Sequence, residues 1–151
     1  MPTVSIVCGD LDESRWFYGE TLGLELALDA EVEPDLRELV CELTGVPAGT
    51  RIHMLPFKDA DEPSGKYLLL HYFSASTGRL RHRMQPGLLG LSLYSHRIDN
   101  LDSLSERLAA GGAELTMAAR RVPDGAPAGT RRLLARGPSD ELFEFIETGP
   151  A

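Results

Sequence analysis

The chain is short of the features that mark membrane, secreted or nucleic-acid-binding proteins. No apolar run approaches the roughly 18 consecutive residues of a bilayer span, and the opening MPTVSIVCGD lacks the basic start and apolar stretch of a secretory signal. A cytoplasmic location is therefore the expectation. There are only 2 cysteines. Cys8 and Cys41 sit at no metal-like spacing, so a disulfide framework is excluded and two small core hydrophobes are predicted. Lys and Arg number 15 against 23 Asp and Glu, a formal charge of -8, which argues against nucleic acid as a partner because that binding rests on cations neutralising phosphates.

What is present suffices for one domain with a sizeable core: 151 residues, 42% of them hydrophobic. Positive charge is concentrated in one place, GRLRHRMQPG, where Arg79, Arg81, His82 and Arg83 fall together. A solvated linker is the plain reading of that stretch; the sharper one is a mouth that attracts an anionic ligand.

The strongest signal is repetition. GVPAGTR at Gly45 returns as GAPAGTR at Gly125, and PSGKYLLLHY at Pro63 returns as PSDELFEFIE at Pro138. VSIV at Val4 and LSLY at Leu91 precede these blocks in the same order. Each half therefore repeats one structural unit: module 1 over about 1–77, a basic linker over about 78–87, and module 2 over about 88–149.

Within module 1, VSIVC reads as a strand. DLDESRWFYGETLGL reads as a helix with Asp10 or Asp12 as N-cap and Gly23 as its stop. Phe17, Tyr18 and Leu22 fall on one helical stripe, which predicts packing. LELAL, RIHMLPF and KYLLLHYF read as strands, and EPDLRELVCEL as a short extra helix that module 2 lacks. Module 2 repeats the plan with LLGLSLYS, the helix NLDSLSERLAAGG, and the strands AELTMA, RRLLAR and ELFEFIE. The predicted class is α+β, two βαβββ modules whose curved mixed sheets surround a central cavity.

DLDESRWFYGETLGLEL resembles the opening signature of the vicinal oxygen chelate superfamily, which contains glyoxalase I, methylmalonyl-CoA epimerase, extradiol dioxygenases and bleomycin-resistance proteins. GPSDELFEFIE resembles that family's closing strand, so the resemblance covers almost the whole chain. It implies four metal-ligand positions, on the first and last strand of each module: Thr3, then Gly90 or Leu93, then Leu69 or Leu68, and Glu144. Of these only Glu144 suits a cation, and about three protein ligands are the norm for a catalytic metal. No metal and no cofactor are expected. A relocated site at His53, His71 and Glu144 is the alternative.

Two-residue alternation predicts a cavity lining of Thr3, Ser5, Val7, Leu69, His71, Gly90, Ser92, Tyr94 and Glu144. For His71 the plain reading is a rim histidine bonded to a backbone carbonyl; the functional one is an acid partner. Glu144, flanked by Phe143 and Phe145, is either paired with an arginine such as Arg51 or Arg131, or a general base with a raised pKa.

The resemblance and these residues support a metal-independent enzyme moving a proton on a hydrophobic carbonyl compound, by isomerase, lyase or cyclase chemistry in bacterial secondary metabolism. Glu144 is its base, His71 its acid, and Ser92 or Tyr94 steadies an enolate. The alternative is a protein that sequesters an antibiotic without chemistry, in which the loss of ligands is equally expected. A metal-dependent glyoxalase, epimerase or dioxygenase needs ligands that are missing. The expected partner is a small molecule, with neither nucleic acid nor membrane, and the resemblance implies a homodimer.

Overall fold

The computed structural model describes residues 4–61, 65–73, 92–121 and 130–147. Thr3, Gly90, the basic stretch 78–87 and the Pro/Gly-rich loop 122–129 lie outside the described residues. The chain divides into two compact units, Met1–Leu80 and Arg81–Ala151.

The first unit opens with β1 (Val4–Val7) and α1 (Leu11–Arg15). Asp10 caps α1 by accepting from the backbone N–H groups of Asp12 and Glu13, each at 2.9 Å, which satisfies donors that the first turn otherwise leaves orphaned. The helix continues as a π-helical turn over Trp16–Thr21. There Leu22 N donates to Phe17 O at 2.9 Å, a five-residue step that is rare outside functional or packing-constrained positions. Gly23, at φ +74°, takes the left-handed conformation that ends it.

The strand expected over LELAL is reduced to a short piece, β2 (Glu25–Leu26), and a second short piece, β3 (Ala30–Glu31), follows just beyond it; both are antiparallel to β4 (Ile52–Lys58). Between β3 and β4 lies the expected extra helix, α2 (Pro34–Thr44). It starts on a proline, whose missing N–H costs nothing at that position, and stops at Gly45, φ +70°. β5 (Tyr67–Tyr72) completes a sheet ordered β1-β5-β4-β2, with β1 and β5 parallel.

Both faces of this sheet are covered by helix. Register places Ile6, Leu55, Phe57, Tyr67 and Leu69 on one face. There Tyr18, fully buried, stacks on Phe57 at 5.5 Å and meets Tyr67 edge-on at 5.4 Å. Burying each such ring contributes about 1.5–3 kcal/mol. The opposite face, carrying Ile52, Leu70 and Tyr72, packs against Val32 and Cys41, with Val40 of α2, Met54 and Leu68 around them. Cys8 and Cys41 are both buried and are not joined in a disulfide, as the spacing predicts.

The second unit is β6 (Leu93–Arg97), α3 (Leu101–Ala110), β7 (Leu115–Arg121), β8 (Arg131–Arg136) and β9 (Leu142–Glu147), with the sheet ordered β6-β9-β8-β7. Asn100 caps α3 through Ser103 N at 2.9 Å. Glu147 adds a second cap, accepting from Leu101 N at 2.8 Å. Leu101, Leu104 and Leu108 are fully buried, as are Leu133, Ala135, Phe143 and Phe145 of the sheet. The repeat is visible in detail. Thr50 and Thr130 are each 4% exposed, and the arginine after each is ion-paired, Arg51 with Glu31 and Arg131 with Asp102 and Glu147.

Candidate functional site

Among its described residues the second unit has no counterpart of α2, and no helix of that unit lies on the sheet face away from α3. Strand alternation puts Leu93, Ser95 and Arg97 of β6 on that face, with Leu142, Glu144 and Ile146 of β9 and Arg132, Leu134 and Arg136 of β8. Ser95 and Glu144 are register partners, and the serine Oγ donates to Glu144 Oε2 at 2.8 Å. Arg132 Nη1 donates to the other oxygen, Oε1, at 2.7 Å. The Glu144 side chain is only 12% exposed. A carboxylate so enclosed needs compensating donors, and it has one on each oxygen.

The arginine that holds Glu144 is Arg132. Arg51 and Arg131 serve Glu31, Asp102 and Glu147 instead. The Arg131 guanidinium holds the Asp102 carboxyl below its ordinary value of 3.8 through a hydrogen bond, and Arg51 acts likewise on Glu31.

The expected lining is corrected at several positions. Leu69 is fully buried on the α1 face of the first sheet, not on a cavity wall. His71 shares that face, as alternation requires, and its Nδ1 lies 3.2 Å from the Cys8 carbonyl oxygen. Its ring meets Phe73 edge-on at 5.0 Å. His53, the register partner of His71, lies on the same face with Nε2 2.5 Å from Asp29 Oδ1.

Tyr94 faces α3 beside Phe143, with ring centres 5.5 Å apart. Burial, then the nearby Glu141 carboxylate, push its phenol up. Ser92, exposed, precedes β6. Ser5 and Val7, register partners of Leu68 and Leu70, lie on the α2 face and are exposed.

These shifts have one cause. Asp10 and Asn100 are equivalent helix caps, so Ser5 corresponds to Ser95, and their partners on the last strands are Leu68 and Glu144. The equivalent of Thr3 by the same count is Leu93, and Leu69 corresponds to Phe145.

The divalent cation implied by the family resemblance does not fit these residues. Glu144 is already neutralised by a guanidinium, its strand neighbours on that face are Leu142 and Ile146, and the Leu68 and Leu93 positions bear no donor. Among the described residues no group of three His, Cys, Asp or Glu is arranged to hold a metal ion. The arrangement offers an ion-paired polar centre bordered by Leu93, Leu134 and Ile146, which suits recognition of an organic molecule with a few polar atoms. Ser95 and Arg132 are the functional residues that the expected lining omits. The alternation in RRLLAR already separates Arg132 from the buried Leu133, so that signal was present.

The Glyoxalase/Bleomycin resistance protein/Dioxygenase superfamily matches residues 1–145 of the chain. A glyoxalase family protein from Bacillus cereus is 26% identical, covers 99% of this chain and 94% of its own, and superposes with a TM-score of 0.78. A glyoxalase I variant from Zea mays is 18% identical over 97% of this chain and 44% of its own, TM-score 0.64. An antibiotic binding protein from a Streptomyces species is 18% identical over 99% and 96%, TM-score 0.58. The last two likenesses are of fold alone. No curated protein matches the chain.

Proposed function

The chain belongs to the Glyoxalase/Bleomycin resistance protein/Dioxygenase superfamily, and on that premise we propose that it binds a small hydrophobic organic molecule against the helix-free face of its second module, without a metal at Glu144. The single observation that carries this reading is that both oxygens of Glu144 are engaged, Oε1 by Arg132 and Oε2 by Ser95. Among the described strand residues whose register puts them on that face, Glu144 is the one acid; Glu114, just before β7, pairs with Arg136 at its edge. The charge of Glu144 is committed to holding Arg132 in place, so the face is built for orienting a ligand before it is built for taking a proton. Leu93, Leu134 and Ile146 supply apolar area, and Ser95 supplies a hydroxyl that exchanges partners at little cost.

A second reading, proton transfer on a carbonyl compound with Glu144 as base, draws on the exposure of Ser95. A ligand that displaces this hydroxyl leaves Oε2 free to accept a proton.

The experiment is a thermal-shift screen of hydrophobic carbonyl compounds, with each stabilising compound recovered and examined by mass spectrometry, alongside elemental analysis of protein purified without chelator. Compounds recovered unchanged support the binder. Compounds converted by the native chain but not by Glu144→Gln establish the enzyme. Stoichiometric metal, with a large loss of stability on chelation, overturns both.

A further inference from the structure

The second module carries a transverse row of side chains that the reading above does not use. Register pairs Arg97 of β6 with Ile146 of β9, Ile146 with Arg132 of β8, and Arg132 with Arg120 of β7. All four side chains project from the helix-free face. With strands about 4.8 Å apart, Arg97 and Arg132 are roughly 10 Å apart at their backbones, and Arg120 stands beside Arg132. The adjacent row is Ser95, Glu144, Leu134 and Met117.

Like charges directly opposite one another on neighbouring strands are destabilising. The pairing of Arg120 with Arg132 occurs in a chain of formal charge -8, where acidic partners are abundant. Beside the three guanidiniums of this row the adjacent row offers one carboxylate, Glu144, and it is bonded to Arg132. Among the described residues neither Arg97 nor Arg120 has an ion-pair partner, and both are exposed. Arg132 donates to Glu144 from Nη1, yet its buried Nε has no hydrogen-bond partner among the described residues. An arginine carries five donors in a planar fork suited to a carboxylate, and here most of that fork is unspent.

We propose that the ligand of this face is an organic carboxylate, its anionic head seated across Arg132 between Arg97 and Arg120, and its apolar body lying on Ile146, Leu134 and Leu93. The inference rests on the reading of this face as the ligand site and adds the chemical class. Glu144 orients Arg132 and limits the net positive charge, so that an anion is held without a permanent counter-ion. Ser95 supplies a neutral donor beside it.

The test is nuclear magnetic resonance titration of the full chain with 2-naphthoate and with 2-naphthamide, molecules of like shape that differ in charge. The expected result is that naphthoate binds at least about tenfold more tightly, shifting the amide signals of Ser95 and Glu144 and the Nε–H signal of Arg132. That preference shrinks in Arg97→Gln and in Arg120→Gln, exposed positions where folding is not at stake, and falls furthest in Arg132→Gln. Equal or tighter binding of naphthamide with the same signals shifted overturns the carboxylate assignment and leaves the ligand face standing. Signals shifted only elsewhere, or by neither compound, overturn the ligand face itself.

Discussion

Ser95 and Glu144 face each other across β6 and β9, joined by a 2.8 Å hydrogen bond, while Arg132 grips the far side of the same carboxylate. The two partners of the ion pair differ in their access to water: the Arg132 side chain is 40% exposed and that of Glu144 12%. Removing either one therefore has unequal consequences.

Arg132→Gln leaves an enclosed carboxylate with Ser95 as its remaining hydrogen-bond donor, at a cost of about 1–3 kcal/mol. Glu144→Gln leaves a guanidinium that reaches solvent and retains an amide oxygen to bond, at a cost below about 1 kcal/mol. Urea unfolding of the two variants checks the order. A larger loss for Glu144→Gln contradicts the assignment of Glu144 as the enclosed member.

Asp29 gives the chain an acid-sensitive contact. Hydrogen bonding to Arg15, opposed by partial burial and reinforced by His53, lowers its carboxyl to about 2 from the ordinary 3.8. A depressed folded-state pKa contributes stability that is complete above 3.8 and disappears as pH falls through about 2. Asp29 is more than one-third exposed, so solvent screening holds the contribution below about 1 kcal/mol. Denaturation midpoints measured from pH 5 downward are expected to fall less steeply in Asp29→Asn than in the native chain; parallel curves contradict the contact.

Leu69→Ala removes a fully buried side chain from beneath α1. It is expected to destabilise by about 2–5 kcal/mol and to leave the identity of the ligand unchanged. A Leu69→Ala chain of native stability but altered ligand preference restores Leu69 to the cavity wall.

Gly45→Ala isolates a backbone effect. The added Cβ meets nothing within 4 Å, but the residue ends α2 at φ +70°. The expected cost is about 1–2 kcal/mol from the left-handed conformation alone. Equilibrium unfolding reads it directly.

The architecture was legible in the sequence because it is written twice, and the two helix starts were marked by side chains that can cap. Glu144 was legible for the opposite reason: a charge between two phenylalanines fixes which way its strand faces. KYLLLHYF offered no such mark. It is covered by α1 on one side and packs toward α2 on the other, so apolar residues fall at both parities and alternation loses its meaning.

Aligning the proline turns of the two halves set Leu69 against Glu144, whereas strand register sets Leu68 there. One residue of slip transfers a whole strand to the other face, and the observed register puts His71 on the face opposite to Leu68, the counterpart of Glu144. LSLYSHR suffered a similar slip, which favoured Ser92 and Tyr94 over Ser95. The shortening of LELAL to β2 and the separate β3 after it left no trace in composition.

The internal repeat gives the two units sheets of one plan, with the first strand of each parallel to the last. α2 ends that equivalence. Its Cys41 packs with Leu70 and Tyr72 on the first sheet, and no such helix follows β7 in the described part of the second unit. The inserted eleven residues thus cover a face of the first sheet whose equivalent in the second unit carries the group formed by Ser95, Glu144 and Arg132.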